Sequence, residues 1–329
     1  MSIFETLKEM RLEDSHFDEK TEFLIDDFLP KNLITFYWAD GGNGKSFLSQ
    51  AITNHVLFYG LVDHVTYLDL DNPVSVLKDR GINETLVEPY RDKLDYIQRS
   101  RVEMSGFDLL LLIEEGATGG AYRDCLFIFD SLRNFVDVKN EGRTMRAMDA
   151  FMNIREAGAT IIILGHANKD GKNYEGSNNI KNSIDCMYRL RKTFSDDKNI
   201  EFLLTVEKER AGIKNCAWHV DTQPKHFTLT RKDYKCAAMS TYDKAFTQKV
   251  IEALSKHPDG MNKTALLEYV GHKKDDRTAR DCLDRYEDEL WVSEKVSNQY
   301  TYRLKKPSLD DYIPPARKTT DATCTSCSG

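Results

Sequence analysis

Residues 39–46 read ADGGNGKS, and the segments flanking them restrict the fold more than any other part of the chain. A β-rich apolar run, Leu33–Trp38, precedes the stretch. After it, Leu48, Ile52 and Val56 recur at four-residue spacing, and Gly60 stands where a helix C-cap belongs. Strand, glycine loop and helix, in that order, make a phosphate cradle, because backbone N–H groups at a helix N-terminus wrap an anion. The pattern G-x-x-x-x-G-K-[ST] is met except at its first position, where Ala39 stands for glycine. Gly41, Gly42 and Gly44 let the backbone approach phosphate without a Cβ clash, and Asn43 and Phe47 complete the stretch. Lys45 is expected at the β- and γ-phosphates and Ser46 on Mg²⁺.

Nucleotide hydrolysis also needs a carboxylate for the metal, a group that orients water, and a cation for the charge that develops on transfer. The run Cys125-Leu126-Phe127-Ile128-Phe129-Asp130-Ser131 ends a hydrophobic strand in Asp130, as a Walker B element does, and makes Asp130 the second Mg²⁺ ligand. The strand His64–Leu70 runs into Asp69-Leu70-Asp71-Asn72-Pro73. Asp71 at its exit is expected to orient the attacking water, while Asn72 caps a helix that begins at Pro73. Further on, Val206-Glu207-Lys208-Glu209-Arg210 closes a strand with Lys208 and Arg210 on one side, which is equally the pattern of a solvated edge.

From Asn32 to about Lys232, β-rich runs alternate with helical patterns, which predicts a mostly parallel sheet covered on both faces. Strands are expected at 33–38, 64–70, 94–98, 126–130, 160–166, 201–207, 217–221 and 226–230, and helices at 45–59, 107–115 and 145–157. Residues 1–30 read as a lead-in packing on this core, and 233–240 as a linker. Residues 241–305 carry three helical patterns followed by two short strands, the layout of a winged helix. Residues 306–329, with a lone Cys324-x-x-Cys327, read as a disordered tail.

Composition narrows the partners. Forty per cent hydrophobic and thirty per cent charged residues describe a soluble globular chain, and no apolar run is long enough for a bilayer. Seven cysteines form no disulfide framework and the N-terminus has no signal-peptide core, so a cytoplasmic location is expected. The net charge of −7 argues against a nucleic-acid footprint over the whole surface, but not against a local basic channel.

Together, the loop GGNGKS, the exit carboxylate Asp71, the strand FIFDS and the later K-x-R resemble the RecA-like ATPases, and within them the RepA-like hexameric replicative helicases. The likeness covers roughly residues 20–232. It implies ATP with Mg²⁺ as the bound nucleotide, and it makes Lys45, Asp71, Asp130, His166, Lys208 and Arg210 the catalytic set. His166, ending Ile161–His166, takes the place of a γ-phosphate-sensing residue. Gly176-Ser177 with Ile180, Asn182 and Asp185 resembles the family segment that follows. Lys208 and Arg210 match the pair that reaches a neighbouring subunit's site. The resemblance further implies a homohexamer, single-stranded DNA as partner, a replication initiator or primase nearby, and a plasmid, phage or mobile element as setting. The expected DNA loops are 133–146, with Arg133, Lys139, Arg143 and Arg146, and 168–177, with Lys169, Lys172 and a base-stacking Tyr174. One departure predicts slow turnover. Asp71 stands where the family carries glutamate, which leaves Asp69 to assist.

Overall fold

The computed structural model describes residues 3–14, 20–296 and 299–305. The chain divides into two compact units, Met1–Ala238 and Met239–Gly329.

The first unit opens with helix α1 (Ile3–Glu9) and a two-stranded ribbon, β1 (Phe23–Ile25) and β2 (Leu29–Pro30). Then come β3 (Ile34–Ala39), α2 (Lys45–Phe58), β4 (His64–Asp69), α3 (Val74–Asp79), β5 (Leu94–Gln98), α4 (Gly106–Glu115), β6 (Cys125–Asp130), α5 (Glu141–Glu156) and β7 (Thr160–His166). The unit closes with α6 (Asn178–Ser183), β8 (Cys186–Ser195), β9 (Asn199–Lys208), β10 (Cys216–Asp221), β11 (Leu229–Lys232) and α7 (Tyr234–Ala238). One nine-stranded sheet holds them in the order β11-β10-β9-β8-β3-β7-β6-β4-β5. The six strands from β8 to β5 in that order run parallel, and β9, β10 and β11 add antiparallel pairs at one edge. This is the α/β class and the mostly parallel sheet expected from the sequence.

All six residues of β3 are buried, because both faces of the sheet are covered there. Tyr37 and Ala39 face one core with Leu48, Ile52 and Val56 of α2, whereas Ile34, Phe36 and Trp38 face the other with Leu110 of α4 and Phe151 of α5. Of the lead-in, Leu24, Ile25, Phe28 and Leu29 lie in the α2-side core, whereas Ile3, Phe4 and Leu7 of α1 are exposed. Gly60 follows α2 with φ 63°, the left-handed turn that ends a helix.

Several expectations need correction. β8 was not anticipated, although the alternation Tyr188-Arg189-Leu190-Arg191 is the period-two signal of a strand with one buried face. The stretch expected as a linker holds α7, which packs on β9 and β10. Helix α5 begins at Glu141 rather than 145, because Asn140 caps it by accepting from the Arg143 amide at 3.0 Å.

In the second unit the order is α8 (Thr241–Lys256), β12 (Met261–Asn262), α9 (Lys263–Tyr269), α10 (Arg277–Arg285), β13 (Trp291–Val296) and β14 (Gln299–Leu304). The three strands form a sheet ordered β12-β14-β13, and Phe246, Val250, Leu266, Leu283 and Trp291 build a separate core. Residues 306–329, with Cys324 and Cys327, lie outside the described residues. Among the described residues, no helix is long and apolar enough to cross a membrane.

Candidate nucleotide site

The loop between β3 and α2 has the backbone that the sequence calls for. Gly42 and Gly44 sit at φ 75° and 80°, and a Cβ on Gly44 would lie 2.9 Å from the Phe202 ring. Gly44 also caps α2 without any side-chain hydrogen bond, so first-turn N–H groups are left for an anion. Lys45 is buried and donates to the carbonyls of Ala39 at 3.0 Å and Asp40 at 3.3 Å. Burial lowers its pKa from the ordinary value, while Asp130 and Asp71 oppose the shift. Lys192 of β8 braces the loop from outside, its ammonium on the Gly42 carbonyl at 3.2 Å and its amide on Asn43 Oδ1 at 3.3 Å. Phe47 departs from expectation. Its ring stacks on Phe227 under the Arg80 guanidinium, so only its backbone belongs to the loop.

Strand order brings the carboxylates beside Lys45. β7 lies between β3 and β6, and β6 pairs with β4, so the C-terminal ends of all four strands line one edge. Asp130 and Asp69 are register partners at that edge and both are buried. Asp130 accepts from Tyr67 at 3.2 Å and is hydrogen-bonded by Ser46. Burial first, and then the charges of Asp69 and Asp71, push its pKa up to about 7. Three carboxylates thus crowd one edge, and a divalent cation is the natural neutraliser. The donor set suits Mg²⁺, which takes one or two protein oxygens and completes its shell with water and phosphate. Ser46 and Asp130 are the two residues placed to offer such oxygens. Among the described residues there is no group of three or more His, Cys, Asp or Glu fit to cage a metal without a nucleotide.

Asp69 is not free to help with water. Its carboxylate accepts from the Asn72 amide at 2.9 Å, the Asn72 side chain at 3.0 and 3.1 Å, and Tyr96 at 2.8 Å. Asn72 therefore spends its side chain on Asp69 and not on capping, and α3 starts one residue later than expected, at Val74. Asp71 stands at the mouth, with Arg133 at 3.2 Å, Asn134 at 3.4 Å and His166 Nε2 at 3.9 Å. His166 Nε2 also lies 3.1 Å from Ser131 Oγ. Burial, aided by Lys45 and Arg133, lowers the imidazole pKa to about 4, so His166 is neutral near pH 7.

Lys208 and Arg210 do not join this group. Lys208 donates to the carbonyls of Lys181, Asn182 and Ile184 at the end of α6. Arg210 lies 3.4 Å from Asp185, whose carboxylate also takes Arg155 at 3.1 Å and the Ile34 amide at 2.9 Å. Ile34 begins β3 and Ala39 ends it, so the pair sits at the far end of the strand from the loop, roughly 16 Å away at about 3.3 Å per residue.

Two expected DNA contacts are otherwise engaged. Tyr174 is half-buried, packs edge-on against Phe36 and Trp38 and donates to the Ser177 carbonyl, so it is held to the core rather than displayed for stacking. Arg146 lies on α5 and forms a two-pronged ion pair with Glu114. Sequence reasoning also missed Arg133 as a member of the site, along with Tyr67, Tyr96 and Lys192.

No protein-family model matches the chain, and no curated protein matches it. Among solved structures, the flagellar accessory protein FlaH from Methanocaldococcus jannaschii is similar at 18% identity and a TM-score of 0.45, over 62% of this chain and 91% of that one. A likeness at that level says nothing of activity.

Proposed function

We propose that this chain is a RecA-like ATPase that works as a helicase or translocase on single-stranded DNA, in a ring of its own copies, in the replication of a plasmid, phage or mobile element. The observation that carries the ATPase reading is the convergence of Ser46, Asp71, Asp130 and His166 on Lys45, from strand ends separated by much of the core. Lys45 and the first-turn amides of α2 hold the phosphates. Ser46 and Asp130 would hold Mg²⁺, which would supply charge neutralisation for the phosphates. Asp71 accepts a hydrogen bond from water and aims it in line. The water oxygen bonds to the γ-phosphorus as the bond to the bridging oxygen breaks, ADP leaves with that electron pair, and the water's proton ends on inorganic phosphate. Neutral His166 donates an N–H toward the γ-oxygens, where an imidazolium would instead pair with Asp71.

Assembly is supported by the place of Lys208 and Arg210, too far along β3 to serve their own loop. DNA is supported by exposed Lys139, Lys169 and Lys172 on the two connections that leave β6 and β7 at the site's edge. The second unit's order of helix, strand, two helices and hairpin supports reading it as a winged helix, a docking or DNA-targeting module. A second reading, an ATP-driven switch that moves along no strand, is favoured by the packing of Tyr174 and the pairing of Arg146. ATPase rates with and without single-stranded DNA, beside strand displacement on a forked duplex, separate these readings. Stimulation with unwinding supports the motor, stimulation without unwinding supports an ATP-switched DNA-binding or recombination-mediator protein, and indifference to DNA supports a signalling ATPase.

A further inference from the structure

The turn after β6 brings into the site an arginine that the hydrolysis just described leaves idle. Arg133 Nη2 lies 3.2 Å from Asp71 Oδ1, and the Asn134 amide reaches the same oxygen at 3.4 Å. The other carboxylate oxygen faces His166 at 3.9 Å. One oxygen of Asp71 is therefore held by two protein donors, which fixes how the carboxylate can meet a water, while His166 lies beyond hydrogen-bond reach of the other. The Arg133 charge also reaches across the site, since it is among the groups that lower the pKa of Lys45 and of His166. Its side chain is 50% exposed, so it can change partners without opening the core.

We propose that Arg133 is the residue that recognises the γ-phosphate, and that in binding it Arg133 gives up Asp71 to the attacking water. The inference rests on the ATPase reading above. A terminal phosphate carries close to two negative charges and three acceptor oxygens, whereas Asp71 offers one charge and one oxygen to this guanidinium. A planar guanidinium binds such a phosphate bidentately, so the exchange runs downhill with a triphosphate. ADP places no phosphate there, and Asp71 stays clasped. The substrate itself thereby arms the carboxylate, and the resting enzyme keeps its water-orienting group occupied.

Competition between Asp71 and the γ-phosphate for one cation gives a signature that a purely structural ion pair lacks. The measurement is equilibrium binding of ADP and of a non-hydrolysable ATP analogue, with Mg²⁺, to the full-length chain. Arg133→Ala should weaken the analogue about tenfold or more, or at least 1.4 kcal/mol, and leave ADP within about twofold. Arg133→Lys should recover part of the loss. Asp71→Asn should tighten the analogue severalfold and leave ADP alone, and that gain should vanish when Arg133→Ala is added. An analogue-to-ADP ratio unchanged by Arg133→Ala would overturn the proposal, as would a gain from Asp71→Asn that survives in the double variant. If Arg133→Ala does not fold, Arg133→Gln keeps the bulk and carries the same comparison. Wild-type protein that binds neither nucleotide would sink the ATPase reading, and this step with it.

Discussion

Tyr67 donates its hydroxyl to Asp130 across 3.2 Å, at a carboxylate that is 1% exposed and has two further carboxylates for neighbours. Two neutral donors, Tyr67 and Ser46, do not offset the burial and the neighbouring charges, so the fold carries a charge it would be more stable without. Strain of this kind marks a site kept for a ligand.

Asp130→Asn should therefore raise stability while it ends hydrolysis. The amide keeps an oxygen for Tyr67 and removes the buried charge. At pH 8 the gain should be roughly 1–3 kcal/mol. Thermal unfolding and turnover, measured together, decide it. A variant that is both inactive and less stable would mean that Asp130 is part of the scaffold.

The pH dependence follows from the same group. A carboxyl whose folded pKa is raised to about 7 contributes stability that is full below its unfolded value and lost as pH rises through about 7. The advantage of Asp130→Asn over wild type should thus grow between pH 5 and pH 8. Mg²⁺ needs the ionised form, so Mg²⁺-dependent nucleotide affinity should fall about tenfold per unit below pH 7. Titrations at pH 6, 7 and 8 would show it, and a flat profile would place the metal elsewhere.

The strand of the phosphate loop, the Asp130 strand and the loop itself were legible because each is written in a contiguous run with a strong period. The placement of Asp71, Asp130 and His166 around Lys45 followed from reading those strands as parallel. Harder to see were contacts set by strand order alone. Tyr67 and Tyr96 gave no local signal, yet they hold Asp130 and Asp69 because β4 lies between β6 and β5. Arg133 looked like a loop cation, and only the short turn after β6 turns it inward. Tyr174 looked free because the apolar faces of Phe36 and Trp38 that bury it lie far off in sequence.

Arg210→Ala tests whether the site is completed by a second copy. Arg210 is half exposed and shares Asp185 with Arg155, so its loss should leave the fold intact. The variant should bind ATP but hydrolyse it about 10³-fold more slowly. Mixed with wild type, it should depress turnover more steeply than dilution does, and mixed with Lys45→Ala it should regain some. Turnover that falls only in proportion to the variant fraction, with no regain, would deny a role in a neighbouring site.

The most direct measurement is steady-state release of phosphate from ATP and Mg²⁺, by the purified chain and by Lys45→Ala. Lys45 is buried with its ammonium against the loop carbonyls, so the account predicts measurable turnover in wild type and loss of both turnover and nucleotide affinity in the variant. Equal turnover and affinity in the two proteins would contradict it.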